Sequence, residues 1–502
     1  MKKKKIIIYI LAFIIPIIIF FGISQILGYY PNGVNVMRNH DAYVQYPAFF
    51  IALKDLALYS FKGALGFNFF TTATYYLMSP LNILLIFFSK ANFEIFYLLI
   101  TLIKIGLSGL TMSILLQSGN KNKTDWFTLV FTTAYSLCGF TTAYYYNTMW
   151  MDTIYMLPLV ILSINKLIKG EKKYLYVITL SITVIINYYT GYMVCIFGLL
   201  YFIFKLINSK NINKKQAIKD FVMLSLLTGL ISCVVLLPTL YSLMLGKVTK
   251  FSEDYTNYWE FNKNVFNIPY YLTPGSFYSG DQRTDGSAMI YSTLFCLLSF
   301  IMLFFNKKFN KKFKISLLIF IAIFIASFSF NLFDFAWQFF QKPIWFNHRY
   351  SFVFSFLIIY IGYKSFKQSE FLKLNLMNKT YIIFTFIIVI LISFIVRFIK
   401  VGNLGINKYI FLIMSFLLII FYVILIDRKK LIFLIIPFVI LELSINSYSN
   451  LKSYSSAYIT DSNQIYDEFT SDKEVDGITN ISYEYEAQRD FNTIRSLNFI
   501  SN

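Results

Sequence analysis

The sequence predicts an all-α, polytopic membrane protein, and two features of its composition lead to this prediction. Of its 502 residues, 57% are hydrophobic and only 14% are charged, whereas a typical soluble domain carries about 25% charged residues. The apolar residues form long runs, and short lysine-rich segments separate those runs. A run of about 20 apolar residues crosses the hydrocarbon core of a bilayer as a helix. We therefore expect a bundle of membrane-spanning helices rather than a soluble core.

The formal net charge of +20 has two interpretations. A strongly basic protein can bind nucleic acid, but here the lysines lie in the short segments between apolar runs. Cytoplasmic loops of membrane proteins carry this bias, so we expect membrane lipids as partners and no nucleic acid. The same loops lack a Gly-rich phosphate-binding motif, which argues against a nucleotide cofactor.

The N-terminal segment sets the orientation of the whole bundle. Lys2 to Lys5 precede an apolar run from Ile6 to Leu27, which is too long for the hydrophobic region of a cleaved signal peptide. This pattern predicts an uncleaved signal anchor with a cytoplasmic N-terminus, because lysines stay on the cytoplasmic side. The residues that follow the first helix, including Asp41, are then extracytoplasmic.

A short segment, Tyr75–Phe88, decides the orientation of every later span. It contains Pro80 and is shorter than the roughly 20 residues needed to cross. If it crosses the membrane, the later lysine clusters lie outside. If it is re-entrant or interfacial, they all lie inside, and we favour this interpretation because it agrees with the usual placement of lysines.

On that basis the chain has about thirteen spans. Together with the first helix, the predicted spans are Phe93–Gln117, Trp126–Tyr144, Thr153–Leu167, Tyr174–Tyr189, Tyr192–Ile207, Phe221–Leu245, Ala288–Phe305, Ile315–Phe330, Tyr350–Tyr363, Tyr381–Ile399, Tyr409–Ile426 and Leu431–Ser444. Residues 1–447 then form a transmembrane domain, in which residues 29–93 make a long extracytoplasmic loop with interfacial or re-entrant helices. Residues 448–502 form a short extracytoplasmic C-terminal segment.

Two aspartates near the predicted outer face are candidates for chemistry. Asp41 lies in the stretch HDAYVQYP, between His40 and Gln45. It is either a general base for a hydroxyl acceptor or the N-cap of an interfacial helix. Asp152 begins a predicted span at the same face and has the same two interpretations. Activation of an acceptor requires two such carboxylates, one to take the proton and one to orient or to bind a divalent cation.

Arg349, in the stretch NHRYSF, also lies near the predicted outer face. It either extends to lipid headgroups or binds the phosphate of a lipid-linked donor through bidentate hydrogen bonds. The two histidines of the chain, His40 and His348, each precede one of these charged residues. We include both as candidate substrate-binding residues, together with Gln45.

Five further residues complete the candidate site. Lys104 lies within an apolar run, so we expect it to face the bundle interior as a partner for the carboxylates or for a phosphate. Glu442 and Asn446, in the stretch LELSIN, lie near the outer end of the last span and have a similar interpretation. Tyr188 and Tyr189, in the stretch NYYTGY, lie in a tight outside turn and are candidates for an aromatic wall.

Several of these stretches together resemble a known family. In chain order they are HDAYVQYPAFF, GFNFF, YYLMSPLNILL, LIKIGLSGLT, WMDTIYMLPLVI, INYYTGYM, NHRYSFVFSFLI and LELSIN. The sequence is similar to the YfhO family of bacterial membrane proteins over nearly its whole length. The resemblance implies a fold like that of the GT-C glycosyltransferases, which take a sugar from a polyprenyl-phosphate carrier at the outer face of the plasma membrane.

The resemblance also implies substrates and roles. The family is associated with decorating teichoic acids, so the expected partners are a polyprenyl-phosphate sugar donor and a cell-envelope polymer acceptor. Asp41 matches the acidic residue of the first outer loop that acts as catalytic base, and Asp152 matches the second outer-face carboxylate. We expect inverting transfer, in which polyprenyl phosphate leaves and Arg349, with Lys104 or a divalent cation, offsets the phosphate charge.

Two other classes of protein fit the same sequence. A transporter or flippase of lipid-linked glycans would also be polytopic and basic inside. It needs a polar path through the middle of the bundle, whereas only Lys104 lies clearly within a span. A non-catalytic assembly subunit is the third alternative.

Overall fold

The computed structural model describes residues 2–54, 59–60, 67–89, 92–119, 125–245, 259–277, 288–340, 343, 345–368, 376–400, 407–427 and 431–454. Residues 120–124, between two predicted spans, residues 246–258 and 278–287, and residues 455–502 of the predicted C-terminal segment lie outside these ranges. Within them the regular structure is almost entirely helical, so the all-α prediction is confirmed. The described residues also form one two-stranded antiparallel pair, β1 (Tyr59–Ser60) with β2 (Phe67–Asn68), in which Tyr59 lies opposite Asn68.

The first half contains α1 (Lys2–Ile26), α2 (Asp41–Val44), α3 (Tyr46–Lys54), α4 (Phe69–Tyr76), α5 (Phe93–Ser118), α6 (Thr128–Ser136), α7 (Gly139–Tyr144), α8 (Thr148–Ile168), α9 (Tyr174–Ile186), α10 (Tyr188–Asn208) and α11 (Lys214–Leu245). The second half contains α12 (Ile268–Tyr271), α13 (Leu294–Phe305), α14 (Lys311–Ser329), α15 (Asn331–Ala336), α16 (Ser351–Gln368), α17 (Leu376–Lys400), α18 (Asn407–Asp427) and α19 (Ile435–Lys452). Short 3₁₀ helices occupy Pro80–Phe87, Lys263–Asn267 and Ile432–Leu434. Helix α19 continues past the predicted domain boundary at residue 447.

Seven of the described helices are long and apolar enough to cross a membrane, and an eighth span results if one bent pair counts as a span. The seven are α1, α5, α8, α10, α11, α14 and the segment Ile432–Lys452. A polytopic membrane fold is thus confirmed. The count of about thirteen stays a prediction, because further apolar helices such as Tyr174–Ile186 and Leu294–Phe305 are shorter than the roughly 20 residues of a full span.

The segment Tyr75–Phe88, on which the predicted orientation depends, is sharply bent. Helix α4 and the 3₁₀ helix Pro80–Phe87 meet at 105°. Helix α4 packs against the last turns of α11, Ser79 bonds Asp152 in the second turn of α8, and the residue after the 3₁₀ helix contacts the first turn of α5. All three contacts lie at one end of the bundle, as a re-entrant or interfacial segment requires.

One predicted span is broken. The predicted helix Trp126–Tyr144 forms two helices, α6 and α7, because the chain leaves helical geometry at Leu137 and Cys138. The backbone N–H of Gly139 donates to the Tyr291 carbonyl at 2.8 Å instead of to its own helix. A side chain at residue 139 would meet Tyr291 at 3.0 Å, so glycine permits this close approach.

The core lies where α5 packs against α1 and α8. A Cβ atom at Gly109 would lie 2.1 Å from the Ala12 carbonyl oxygen of α1, so only glycine allows the two helices to approach this closely. Small residues at helix contacts are typical of membrane bundles. The outward faces are apolar, and Leu230 and Val234 on α11 are 72% and 67% exposed. Such exposed apolar side chains suit contact with lipid.

The two ends of the bundle differ chemically. We call one the basic end because the lysines next to its helix termini lie there: Lys169, Lys173, Lys210, Lys214, Lys307, Lys311, Lys364 and Lys367. Contacts between neighbouring termini confirm that these termini meet, for example Lys173 with Asp220 and Lys367 with Asp125. We call the opposite end, where α5, α8 and α10 begin, the site end. The described lysine clusters therefore share one end, as predicted.

Candidate functional site

A buried ion pair joins α5 to α8 near the site end. Lys104 Nζ lies 2.8 Å from Asp152 Oδ2 and also donates to the Thr148 carbonyl. Ser79, in the bend after α4, donates to the other carboxylate oxygen at 2.8 Å. Both charged side chains are 1% exposed. A buried charge is tolerated only when close partners offset its lost hydration, and here the chain supplies those partners to both oxygens.

This geometry resolves two alternatives. The N-cap interpretation of Asp152 is wrong, because α8 begins at Thr148 and places Asp152 in its second turn. Of the two partners predicted for Lys104, the structure provides the carboxylate. The catalytic role of Asp152 stays a prediction, and its bonded oxygens favour an orienting role over proton transfer.

Asp41 is the first residue of α2 and is half-buried. The N-cap position belongs to His40, which makes no side-chain capping bond, so the predicted cap interpretation of Asp41 is wrong by one residue. The His40 ring packs edge-to-face against Tyr146 and Tyr454, at centroid distances of 5.6 and 5.7 Å. These rings hold the start of α2 against the bundle.

Gln45, at the end of α2, has an unused hydrogen-bonding atom. Its side chain is 6% exposed, and its Oε1 has no hydrogen-bond partner among the described residues. The Tyr144 hydroxyl is buried and unpartnered in the same way. A buried polar atom without a partner costs about 1–3 kcal/mol. Both atoms are therefore suited to bond a substrate hydroxyl, in keeping with the binding role predicted for Gln45.

Aromatic side chains from three elements meet at the site end. The Tyr75 ring lies 6.0 Å from Tyr188 and 5.9 Å from Tyr189. It is also 4.6 Å from Tyr76, and its hydroxyl accepts a hydrogen bond from Trp150 Nε1 at 3.2 Å. Tyr188 and Tyr189, the residues of the predicted wall, thus belong to a larger cluster. We call this cluster of Tyr75, Tyr76, Trp150, Tyr188 and Tyr189 the aromatic wall.

Arg349 lies against this wall. Its guanidinium carbon is 5.2 Å from the ring centroids of both Trp150 and Tyr189. Its Nε and Nη2 donate to the backbone carbonyls of Phe346 and Trp345. Among the described residues no carboxylate lies within ion-pair distance of it. The side chain faces aromatic rings of α8 and α10, which favours a binding role over extension to lipid headgroups.

Asp41 and Arg349 both act electrostatically on Tyr76. The Tyr76 hydroxyl lies within electrostatic reach of both charges. Tyr76 is the last residue of α4, and the Ser79 contact to Asp152 follows three residues later. The bent segment therefore bonds the buried ion pair through Ser79, and it carries Tyr76, whose hydroxyl is influenced by the charges of Asp41 and Arg349.

His348 lies behind the wall rather than at its surface. It is buried, and its Nδ1 is 2.8 Å from Asp334 Oδ1. Gln338 donates to the second oxygen of Asp334 and accepts a hydrogen bond from the Tyr189 hydroxyl at 3.1 Å. Tyr189 also faces Arg349. The hydrogen bonds from His348 through Asp334 and Gln338 to Tyr189 therefore hold the aromatic wall beside the arginine. The binding role predicted for His348 stays a prediction.

A second buried ion pair anchors the segment after α1, which we predicted to be the first outer loop. Arg38 Nε donates to Glu94 Oε1 at 2.8 Å, and both side chains are buried. Arg38 also donates to the Tyr43 carbonyl of α2 at 3.2 Å. Since Glu94 belongs to the first turn of α5, the pair ties α2, and with it Asp41, to a spanning helix.

Glu442 and Asn446 lie inside the bundle, away from the wall. The Glu442 carboxylate accepts hydrogen bonds from the hydroxyls of Tyr291 and Tyr422 and from the first backbone N–H of α13. Asn446 Oδ1 accepts from the Gly275 N–H at 2.9 Å. These bonds join α13, α18 and α19, so the structure gives both residues packing partners. Their predicted binding roles stay untested.

The sequence analysis missed Arg38, Glu94 and Asp334. Each is an ionisable residue in or beside an aromatic or apolar stretch, and such residues in membrane proteins are usually buried in pairs. That signal was present in the stretches ANFEIFYLL and NLFDFAW. For the predicted divalent cation, no group of three or more His, Cys, Asp or Glu side chains with metal-binding geometry occurs among the described residues.

The fold and this site define a class: polytopic helical membrane proteins with a charged, aromatic-lined site at one end of the bundle. Residues 12–495 match the family model described as bacterial membrane protein YfhO. The chain belongs to this family, which confirms the resemblance of its sequence. No curated protein and no solved structure matches the chain.

Proposed function

We propose that the protein transfers a sugar from a polyprenyl-phosphate donor to a hydroxyl of a teichoic-acid-type envelope polymer, at the outer face of the bacterial plasma membrane. Membership of the YfhO family supports a function in the cell envelope. The observation that carries the finer proposal is Arg349, an arginine with no carboxylate partner in the described chain, set against aromatic rings. An anionic ligand would supply the missing charge.

The donor phosphate binds at Arg349 in this proposal. Guanidinium groups bind phosphate oxygens by paired, charge-assisted hydrogen bonds. The aromatic wall beside Arg349 offers ring faces at the end of the helices, where it can contact the polyprenyl chain and the sugar. As the bond from the anomeric carbon to the phosphate oxygen breaks, the leaving phosphate gains negative charge, which Arg349 stabilises.

The acceptor hydroxyl is activated by Asp41. Its carboxylate takes the hydroxyl proton while the hydroxyl oxygen forms the new bond to the anomeric carbon. Attack from the face opposite the leaving phosphate inverts that carbon. The unpartnered Oε1 of Gln45, four residues along α2, is available to bond the acceptor. No step passes through a metal ion, because the described residues offer no suitable ligand group.

Asp152 orients the site in this proposal. Its two oxygens bind Lys104 and Ser79, and Ser79 belongs to the segment that carries Tyr75 and Tyr76. The transporter alternative predicted charges in the middle of the bundle. Lys104, the one charge that the sequence placed clearly within a span, is paired with Asp152, so it does not by itself supply the polar path that transport needs.

The test uses purified protein in detergent, supplied with polyprenyl-phosphate sugar and an extracted envelope polymer. Mass spectrometry of polymers and carrier lipids from cells with and without the gene identifies the sugar to use. A detergent solution has no compartments, so a transporter cannot form product there. Formation of glycosylated polymer supports the proposal, and its absence with an authentic donor and acceptor contradicts it.

The variant Arg349→Gln tests the donor site in the same assay. Loss of charge-assisted hydrogen bonds worth about 1.5–3 kcal/mol should weaken donor affinity by about 10- to 100-fold. The matched control is Lys452→Gln, which removes an exposed cation that lies 5.6 Å from the Tyr448 ring at the same end. Equal donor affinity in Arg349→Gln and wild type would reject this binding site.

A further inference from the structure

Three parallel helices meet in a hydrogen-bonded triad near the basic end. Tyr201 of α10 donates to Asn165 Oδ1 of α8 at 2.9 Å. Asn165 Nδ2 donates to the hydroxyl of Tyr360, on α16, at 3.3 Å. The two tyrosine hydroxyls are 3.3 Å apart. Each residue lies within the last turns of its helix, so the three helices end together around this triad.

Each member of the triad is followed four residues later by a lysine: Lys169, Lys205 and Lys364. Residues four apart lie on the same face of a helix. Since the triad members touch one another, the three lysines converge one turn nearer the basic end. This convergence follows from three separate helices and does not depend on any one of them.

The contacts of the lysines agree with this placement. Lys364 Nζ lies 3.9 Å from the Tyr360 ring centroid, directly over the triad. Lys205, which is half-buried, lies within electrostatic reach of both Lys364 and Lys169. The Lys205 ammonium group is therefore repelled by both of the other two lysines.

No carboxylate of the described chain is paired with any of the three. Other lysines at the same end are paired, since Lys173 binds Asp220 and Lys367 binds Asp125. The C-terminal end of a helix attracts a cation, which accounts for one lysine at one terminus. It does not explain why lysines from three separate helices lie next to the hydroxyl and amide groups of the triad.

We propose that Lys169, Lys205 and Lys364 form a binding site for the phosphate group of an anionic membrane lipid at the basic end of the bundle. A phosphate placed between the three ammonium groups replaces their mutual repulsion by attraction. The site lies at the helix termini, where lipid headgroups meet the protein. It is separate from Arg349 and independent of sugar transfer.

The test measures binding of phosphatidylglycerol to full-length protein in an uncharged detergent, by the rise in thermal unfolding midpoint and by native mass spectrometry. Phosphatidylcholine and inorganic phosphate are the comparison probes. A lysine near anionic lipid contributes about 1 kcal/mol, so three should contribute on the order of 100-fold in affinity. We therefore expect the affinity for phosphatidylglycerol to fall by that factor in the variant carrying Lys169→Gln, Lys205→Gln and Lys364→Gln.

The control variant carries Lys214→Gln, Lys215→Gln and Lys219→Gln, which removes the same charge from exposed positions on α11 at the same end. It should keep wild-type lipid binding.

Without lipid, the first triple variant should unfold at a temperature equal to or higher than wild type, because the repulsion between the three lysines is gone. A protective effect of inorganic phosphate equal to that of the lipid, and lost in the same variant, would support the phosphate site but assign it to free phosphate. Unchanged lipid binding in the first variant, or equal loss in the control, would overturn the proposal.

Discussion

The two ends of the helix bundle hold their charges in opposite ways. At the site end, the pairs Arg38–Glu94 and Lys104–Asp152 are closed off from solvent, with side chains 9% exposed or less. At the basic end, the Lys173 side chain of the Lys173–Asp220 pair is 38% exposed, and several further lysines are exposed at the helix termini.

The difference teaches what each set of charges is for. Apart from Lys169, Lys205 and Lys364, the lysines at the basic end are mostly exposed near helix termini, and their main effect is on orientation. Charges at the site end are costly to bury, and they hold the segments that carry Asp41 and the aromatic wall. Four experiments test this contrast.

The largest expected effect concerns orientation, which should give an all-or-none result. A membrane-impermeant maleimide should label Asn32→Cys in intact cells, because we predict that the site end faces outward. It should label Lys311→Cys only after the membrane is permeabilised. The parent protein, with its four native cysteines, gives the background. Labelling of Lys311→Cys in intact cells would mean that the bundle is inverted or that the bent segment is a true span.

The next largest effect is expected for Asp41→Asn. The change keeps the size of the side chain but removes the negative charge that accepts the proton, so the rate of sugar transfer should fall by about 10²- to 10⁴-fold. Membrane insertion and the unfolding midpoint should be unchanged. Glu260→Gln, which neutralises an exposed acid near the end of α14, is the control. Wild-type transfer by Asp41→Asn would rule out Asp41 as the base.

The buried pair Lys104–Asp152 should affect stability more than the exposed pairs do. Lys104→Met leaves the Asp152 charge buried without its partner, which should destabilise the fold by about 3–5 kcal/mol. Adding Asp152→Asn removes that charge and keeps an acceptor for Ser79, so the double variant should recover most of the loss. Unfolding in detergent measures both. A double variant no more stable than Lys104→Met would mean that lost packing, rather than the unpaired charge of Asp152, causes the loss of stability.

The smallest effect is expected at the basic end. Lys173→Gln removes an exposed cation from its pair with Asp220, and such pairs contribute about 0–1 kcal/mol. The unfolding midpoint should change little, and the rate of sugar transfer should not change. A loss of stability as large as that of Lys104→Met would mean that exposed and buried ion pairs do not differ between the two ends.

Much of the fold could be predicted because membrane insertion depends on local composition. The apolar runs predicted helices, and the lysine clusters predicted which termini share one end. Two local predictions differ from the structure. The span Trp126–Tyr144 breaks where the Gly139 N–H bonds the Tyr291 carbonyl. Helix α8 begins at Thr148, five residues before its predicted start at Thr153.

The candidate site was predicted only residue by residue. Asp41, Tyr189 and Arg349 were selected because polar or aromatic residues near the outer face of a membrane protein are often functional. The position of Arg349 against Trp150 and Tyr189 was not predictable, since no local pattern reports contacts between the residues before α16 and helices α8 and α10. The hydrogen bonds of Glu442 and Asn446 likewise depend on partners far away in the chain.

The sequence by itself determined the membrane character of the protein, the helical class of its fold, its family and the set of charged residues that had to be explained. These follow from the cost of placing each residue in hydrocarbon, which depends mainly on that residue and its neighbours. Only the tertiary structure decided that Lys104 pairs with Asp152, that Asp334 holds His348, and that Arg349 has no carboxylate partner among the described residues. Pairing depends on distances between separate helices, and those distances are set by packing of the whole bundle.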